Sequence, residues 1–281
     1  MKTLACVATV VMLAGSVVDA KQQSAALSSE GETTVIPPAT LEDAQRSFYN
    51  GRYDVAAELT LHLCGAEPDN LEPCELRTSI LHSLIRRGLG DGRDRDAAWK
   101  ACAVCPDLKS AFVAETTRAQ AIARARLKKD PRDEATLFLL GKIDLNYVWL
   151  QLGTLGHRTG WDEYWEARKS LDQVLKQNPN HVRARVARAW IDYIVDTKMA
   201  RGTKWILGGG NRKRGLQVVR AAATGEAEFF EWAEATFALW DMQVREKDIA
   251  AAVVTARDLA RRFPENRDLA RFLNSHSDVK P

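Results

Sequence analysis

Cys102 and Cys105, in the run C-A-V-C-P, have the spacing of a redox-active dithiol. Such a pair turns over when one sulfur is held as thiolate, which a helix N-terminus favours and a helix C-terminus opposes. This run reads as the end of a helix, so it points to a structural disulfide instead. A c-type haem attachment would need His where Pro106 stands. Cys64 and Cys74 have nine residues between them, a spacing foreign to the usual zinc sites. With Cys6 assigned to a cleaved leader, four cysteines remain, an even number that suits two disulfides in an exported chain. Proximity favours Cys64–Cys74 and Cys102–Cys105, although four cysteines admit three pairings. No metal or cofactor is expected.

The second candidate is the stretch 198–215, K-M-A-R-G-T-K-W-I-L-G-G-G-N-R-K-R-G. Asn211 is a good N-cap for a helix beginning at Arg212. Amides at that helix start, with Arg212, Lys213 and Arg214 beside them, have the chemistry to hold an anion. The spacing does not match a phosphate loop, and the plainer reading is a glycine-rich turn between helix pairs. Residues 183–220 hold ten Lys or Arg against two acids, and 224–248 hold seven acids against two cations. Segments of opposite sign are expected to pair with each other. Across the whole chain the formal charge is only +3, which points to neither nucleic acid nor a membrane surface.

Aromatic residues gather nearby: Tyr147, Trp149, Trp161, Tyr164, Trp165, Trp190, Tyr193 and Trp205. Tryptophan joins a large apolar area to one donor and so makes a good anchor, but aromatics at helical spacing mostly fill cores. The candidate partner-binding set is Trp161, Trp165, Arg201, Lys204, Trp205, Asn211, Arg212 and Arg214, with a loop expected at 151–160. His62, His82, His157, His181 and His276 form no recognisable metal or nucleophile motif, so no catalytic residue is assigned.

Other features concern where these residues are carried. Residues 1–20 have a Lys2 start, an apolar run over 4–15, and Val18 and Ala20 at a small-residue cleavage site, the pattern of a signal peptide. The apolar run is too short for a comfortable ~30 Å crossing, so no membrane span is expected in the mature chain. Residues 21–40 are rich in Ser, Thr, Gly and Pro and read as a linker. The expectation is an exported protein, periplasmic or secreted, with an ordered domain over 41–275 and a tail at 276–281.

The strongest regularity is a repeat. Pro68, Pro131, Pro179 and Pro264 each follow an alanine by twelve residues: Ala56, Ala119, Ala167 and Ala252. Residues four and seven beyond each alanine fall on the same helical face. Proline then stops the helix, because it lacks an amide donor and clashes with the preceding turn. A small residue at a fixed point lets two helices of a hairpin approach closely. The pattern resembles the tetratricopeptide repeat family, most clearly at Gly51, Tyr53 and Ala56 and at Leu137, Leu140 and Gly141. It departs from that family in its spacing, with prolines 63, 48 and 85 residues apart, and in Arg126 where an apolar residue is usual.

This resemblance implies an all-α, right-handed α-solenoid of antiparallel helix hairpins with a concave binding face. Twelve helices are expected between residues 42 and 274, and no strand. The function implied is a non-catalytic binding or scaffolding protein of the cell envelope, holding a protein or peptide partner. The run G-G-G-N-R-K-R also resembles the glycine-rich helix start of periplasmic tetratricopeptide partners of substrate-binding transport systems. That implies an alternative, a small-ligand or transport-accessory protein with a closed pocket lined by Trp161, Trp165 and Trp205, open to an anionic ligand.

Overall fold

The structure is a computed structural model that describes residues 39–90, 94–157, 159–198 and 204–279. The leader, most of the linker and Arg201 lie outside the described residues. Twelve α-helices occur among the described residues, and no strand. They are α1 (Leu41–Tyr49), α2 (Tyr53–Ala66), α3 (Leu71–Leu89), α4 (Arg95–Ala101), α5 (Cys105–Lys129) and α6 (Glu134–Val148). They continue as α7 (Trp161–Gln177), α8 (Val182–Lys198), α9 (Arg212–Thr224), α10 (Phe229–Arg245), α11 (Ile249–Arg262) and α12 (Arg267–Ser275). A π-helical turn follows α6 at Trp149–Leu155, overlapping the first half of the loop expected at 151–160, and a 3-10 turn lies at Lys204–Leu207.

The prolines act through one local device. Each sits second in a four-residue turn: Glu67–Asn70, Asp130–Asp133, Asn178–His181 and Phe263–Asn266. In each, the fourth amide donates to the first carbonyl, at 2.9, 3.3, 3.2 and 3.1 Å. Proline suits the second place because its φ is already set. The fourth residue then caps the next helix: Asn70 accepts from the Glu72 amide at 3.1 Å, Asp133 from Thr136 at 3.1 Å and Asn266 from Asp268 at 3.0 Å. Ahead of α8 the fourth residue is His181, whose Nδ1 accepts from the Ala184 amide at 3.3 Å. One turn therefore ends one helix and starts another.

Successive helices pack as hairpins: α1 with α2, α3 with α5, α6 with α7, α8 with α9, and α10 with α11, with α12 closing the end. Ala56, Ala119, Ala167 and Ala252 have no exposed surface, and the first three sit in apolar clusters, with the Ala167 backbone packed on Gly141 of α6. Unequal proline spacing has a simple cause. Helix α4 enlarges the second unit, the π-turn enlarges the third, and two hairpins fit between Pro179 and Pro264. The hairpin α8–α9 escapes the proline pattern because its seam residue is Gly215, followed by buried Val219 and Ala222, and its helix stops at Gly225. A Cβ on Gly215 would stand 2.8 Å from the Ala189 carbonyl oxygen, so the seam there is too tight even for alanine.

The stack closes on itself. Tyr49 of α1 joins the apolar cluster of the last hairpin, its ring 5.4 Å from those of Phe237 and Phe263. Asn266 donates to the Tyr49 carbonyl at 2.8 Å, the Glu265 amide donates to Asn50 at 3.3 Å, and Arg52 pairs with Glu265 at 3.4 Å. First and last units therefore meet.

Candidate functional site

Charge bridges the first helices of four hairpins, α3, α6, α8 and α10. Arg183 of α8 holds Glu234 of α10 at 2.6 Å and Glu75 of α3 at 3.0 Å. Lys142 of α6 completes a balanced quartet by pairing with Glu234 and lying 4.0 Å from Glu75. Asn146 donates to Thr78 at 2.8 Å and Ser79 at 2.9 Å, and Ser79 donates to Glu75 at 3.1 Å. Phe138 carries the Arg183 guanidinium 4.8 Å above its ring. Burial by itself would push the Glu234 carboxyl up, but Lys142 and Arg183 outweigh it and hold it at about 2. The network joins helices of four units, and its ionic needs are met from within.

The glycine-rich stretch is built for close packing. Tyr164 and Arg168 of α7 donate to the Leu207 carbonyl at 2.8 and 3.0 Å, and Arg168 also donates to Gly208 at 2.8 Å. Gly208 and Gly209 have φ of 74° and 76°, which favours glycine. Gly210 lies so near α8 that a Cβ would be 2.7 Å from the Asp192 carbonyl oxygen. Asn211 caps α9 as expected, accepting from the Arg214 amide at 2.9 Å. The anion at this helix start is the chain's own: Asp196 accepts from the Arg212 amide at 2.8 Å and pairs with Lys204. Lys204 first, and the Arg212 amide second, hold the Asp196 carboxyl below its ordinary value. The Arg212 and Arg214 amides are thus engaged by the chain's own Asp196 and Asn211.

Beside this start lies an open cleft of about 890 Å³. Lys198, Lys204, Arg212, Lys213 and Arg245 line it, against Asp196 and Glu246. Glu246 accepts from Tyr193 at 2.7 Å and pairs with Arg212 at 3.4 Å. Arg212, Lys213 and Arg214 are exposed. The expected pairing between the basic and acidic segments thus occurs at Arg183–Glu234 and Arg212–Glu246. Arg188 instead pairs with Asp172 at 2.7 Å and Asp192 at 2.6 Å.

The aromatics divide. Tyr164 and Tyr193 are buried, and Tyr147, Trp149 and Trp190 pack against apolar clusters. Trp161, Trp165 and Trp205 are 40%, 44% and 77% exposed, and Ile206 is 52% exposed. They do not enclose a pocket. Spacing puts Trp161 and Trp165 on the α7 face that also bears Tyr164 and Arg168, the residues gripping Leu207 and Gly208. Trp205 and Ile206 immediately precede that grip. These exposed aromatics therefore stand on two segments, α7 and the 3-10 turn, that the Tyr164 and Arg168 hydrogen bonds tie together, and Lys204, next to Trp205, lines the cleft.

Cys102 and Cys105 form a disulfide that packs on Gly88 of α3. Cys102 caps the end of α4 and Cys105 opens α5, so the run joins two helices; Pro106 tolerates an early helical position because no donor is needed there. Cys64 and Cys74 are neighbours as expected but stand as buried thiols 3.4 Å apart, not as a disulfide. With Glu115 they form a compact group of metal-ligating atoms, while Arg118 lies 3.0 Å from Cys74 Sγ and 2.6 Å from Glu115. A guanidinium in that position opposes a cation.

Sequence reasoning missed three buried titratable features, two single side chains and one ionic cluster. His82 shares a 2.7 Å hydrogen bond with Thr154 of the π-turn, and burial pushes its pKa down to about 3. Asp144 accepts from Gln120 at 2.7 Å, and burial, with the Glu166 charge second, pushes its carboxyl up to about 8. The third is the Glu75–Arg183–Glu234–Lys142 quartet. A signal existed for Asp144, a carboxylate inside F-L-L-G-K-I-D-L-N-Y; the quartet's partners lie too far apart in sequence to be paired by eye.

No protein-family model matches the chain. No curated protein matches it either. Among solved structures it is similar to that of TTC0263, a thermophilic TPR protein of Thermus thermophilus. The two are 14% identical with a TM-score of 0.46, and the alignment covers 83% of this chain and 95% of that one.

Proposed function

We propose that this is an exported, non-catalytic docking protein of the cell envelope that holds a protein partner through its exposed tryptophans. The observation that carries this reading is the exposure of Trp161, Trp165 and Trp205 on two segments that Tyr164 and Arg168 hydrogen-bond to each other. Large apolar side chains exposed together on a rigid support mark binding surfaces more often than chance exposure does. The cationic cleft alongside supplies charge selectivity toward an acidic partner. The strongly shifted groups His82, Asp144 and Glu234 have partners inside the fold, which supports a reading without catalysis.

A second reading, a small-ligand or transport-accessory protein, is favoured by the cleft itself. Its lining cations suit a compact anion.

Crosslinking and purification from the native host's envelope tests the first reading. A partner captured by the wild-type chain and lost by a Trp161→Ala/Trp165→Ala/Trp205→Ala variant of unchanged thermal stability supports it. Equal recovery with both chains refutes it. A thermal shift with inorganic phosphate or citrate, abolished by Arg212→Glu, would favour the second reading.

A further inference from the structure

We propose that Cys64 and Cys74 are a reversible oxidative-modification site, a dithiol that exchanges with an external disulfide to bolt α2 to α3. The two sulfurs are 3.4 Å apart, near enough to bond after a small movement. Their reduced form is also well satisfied. Cys64 donates to Cys74 Sγ, Cys74 donates to the Asn70 carbonyl at 3.1 Å, and Arg118 donates to Cys74 Sγ at 3.0 Å. The reduced sulfurs are thus satisfied while lying close enough to bond, which lets the couple run in both directions. This separates it from Cys102–Cys105, which is bonded in the same structure.

Access comes through Cys64. It lies in the last turn of α2, followed by exposed residues 65–68, whereas Cys74 has no exposed surface. Helix ends open more readily than helix interiors. The hydrogen bond with Cys74 favours the thiolate on Cys64, burial and the Glu115 charge oppose it, and Arg118 supports it. The Cys64 thiolate attacks one sulfur of a small-molecule or protein disulfide, breaking that bond. The departing thiolate takes up the proton Cys64 gave to solvent. Cys74, as thiolate, then attacks Cys64 Sγ in the mixed disulfide and expels the second thiol. Two thiols of the chain lose two electrons and two protons, and the external disulfide becomes two thiols.

Arg118 ties the change to its surroundings. It also donates to the Pro68 carbonyl at 2.9 Å and to Glu115 at 2.6 Å, so it fastens the α2–α3 turn to α5. Oxidation weakens its sulfur acceptor but leaves the other two partners, so the turn is retained.

The test is equilibration of the purified full chain in reduced and oxidised glutathione at graded ratios, then alkylation and peptide mass mapping. The expected result is a reversible conversion of Cys64 and Cys74 into a peptide pair lighter by two hydrogens. Helical circular dichroism should be unchanged, and the oxidised form should melt roughly 5 °C higher. Cys64→Ser should abolish the conversion and leave the Cys102–Cys105 link in place. Both cysteines alkylated at every ratio, a glutathione adduct that persists, loss of helix on reduction, or stoichiometric zinc retained by the pair would each overturn the proposal.

Discussion

Arg183 and Glu75 are 108 residues apart in sequence and meet at 3.0 Å inside the stack. The contact links α8 directly to α3. Breaking one side of a buried ion network leaves a charge without its counterion. Arg183→Met is therefore expected to lower stability by about 3 kcal/mol. Urea unfolding measures it, and a loss below about 0.5 kcal/mol would mean the quartet does not hold these helices together.

Three buried groups make stability depend on pH, with opposite signs. Asp144 binds its proton more tightly in the fold, so its contribution is complete below its ordinary 3.8 and is lost as pH rises to about 8. Glu234 and His82 are depressed, to about 2 and about 3. Their contributions are present above ordinary values of 4.5 and 6.5 and are lost as pH falls through the depressed ones. Asp144→Asn imitates the protonated carboxyl. The variant should match the wild type near pH 4 and melt higher than it at pH 8. Parallel Tm curves for the two chains across that range would contradict the assignment.

Two glycines in helices should respond to alanine in opposite directions. Gly65 of α2 has open space where a methyl group would stand, so Gly65→Ala should add about 0.5–1 kcal/mol through helix propensity. At Gly215 the same methyl meets the Ala189 carbonyl oxygen at 2.8 Å, and Gly215→Ala should cost roughly 1–3 kcal/mol. Chemical denaturation of both variants checks the pair, and equal signs would show that the α8–α9 seam is looser than described.

Trp205, 77% exposed, makes little contribution to the core. Trp205→Ala should leave Tm within about 2 °C of wild type while weakening partner capture. A large drop in Tm would recast this residue as part of the fold.

Helices and their boundaries were legible because they depend on neighbours in sequence. The proline-centred turns, the caps Asn70, Asp133, Asn211 and Asn266, and the alanine seams all arise within one or two helical turns. The α8–α9 hairpin fell outside the proline pattern, though both its helices were expected, because Gly215 does the work of alanine and Gly225 that of proline. At the candidate site, Lys204, Asn211 and Arg212 were identified and do border one cleft, but the chemistry expected of them changed. Asp196, eight residues from Lys204 and sixteen from Arg212, already occupies the position reserved for a ligand.

By itself the sequence determined the local code: where helices run, where they stop, and which small residues touch. Tertiary structure alone decided that Tyr49 meets Phe263, that Arg183 meets Glu75, that three tryptophans stay outside, and that Cys64 and Cys74 rest as thiols. These depend on groups tens to hundreds of residues apart. Their proximity is set by the accumulated geometry of every intervening hairpin, which no local spacing encodes.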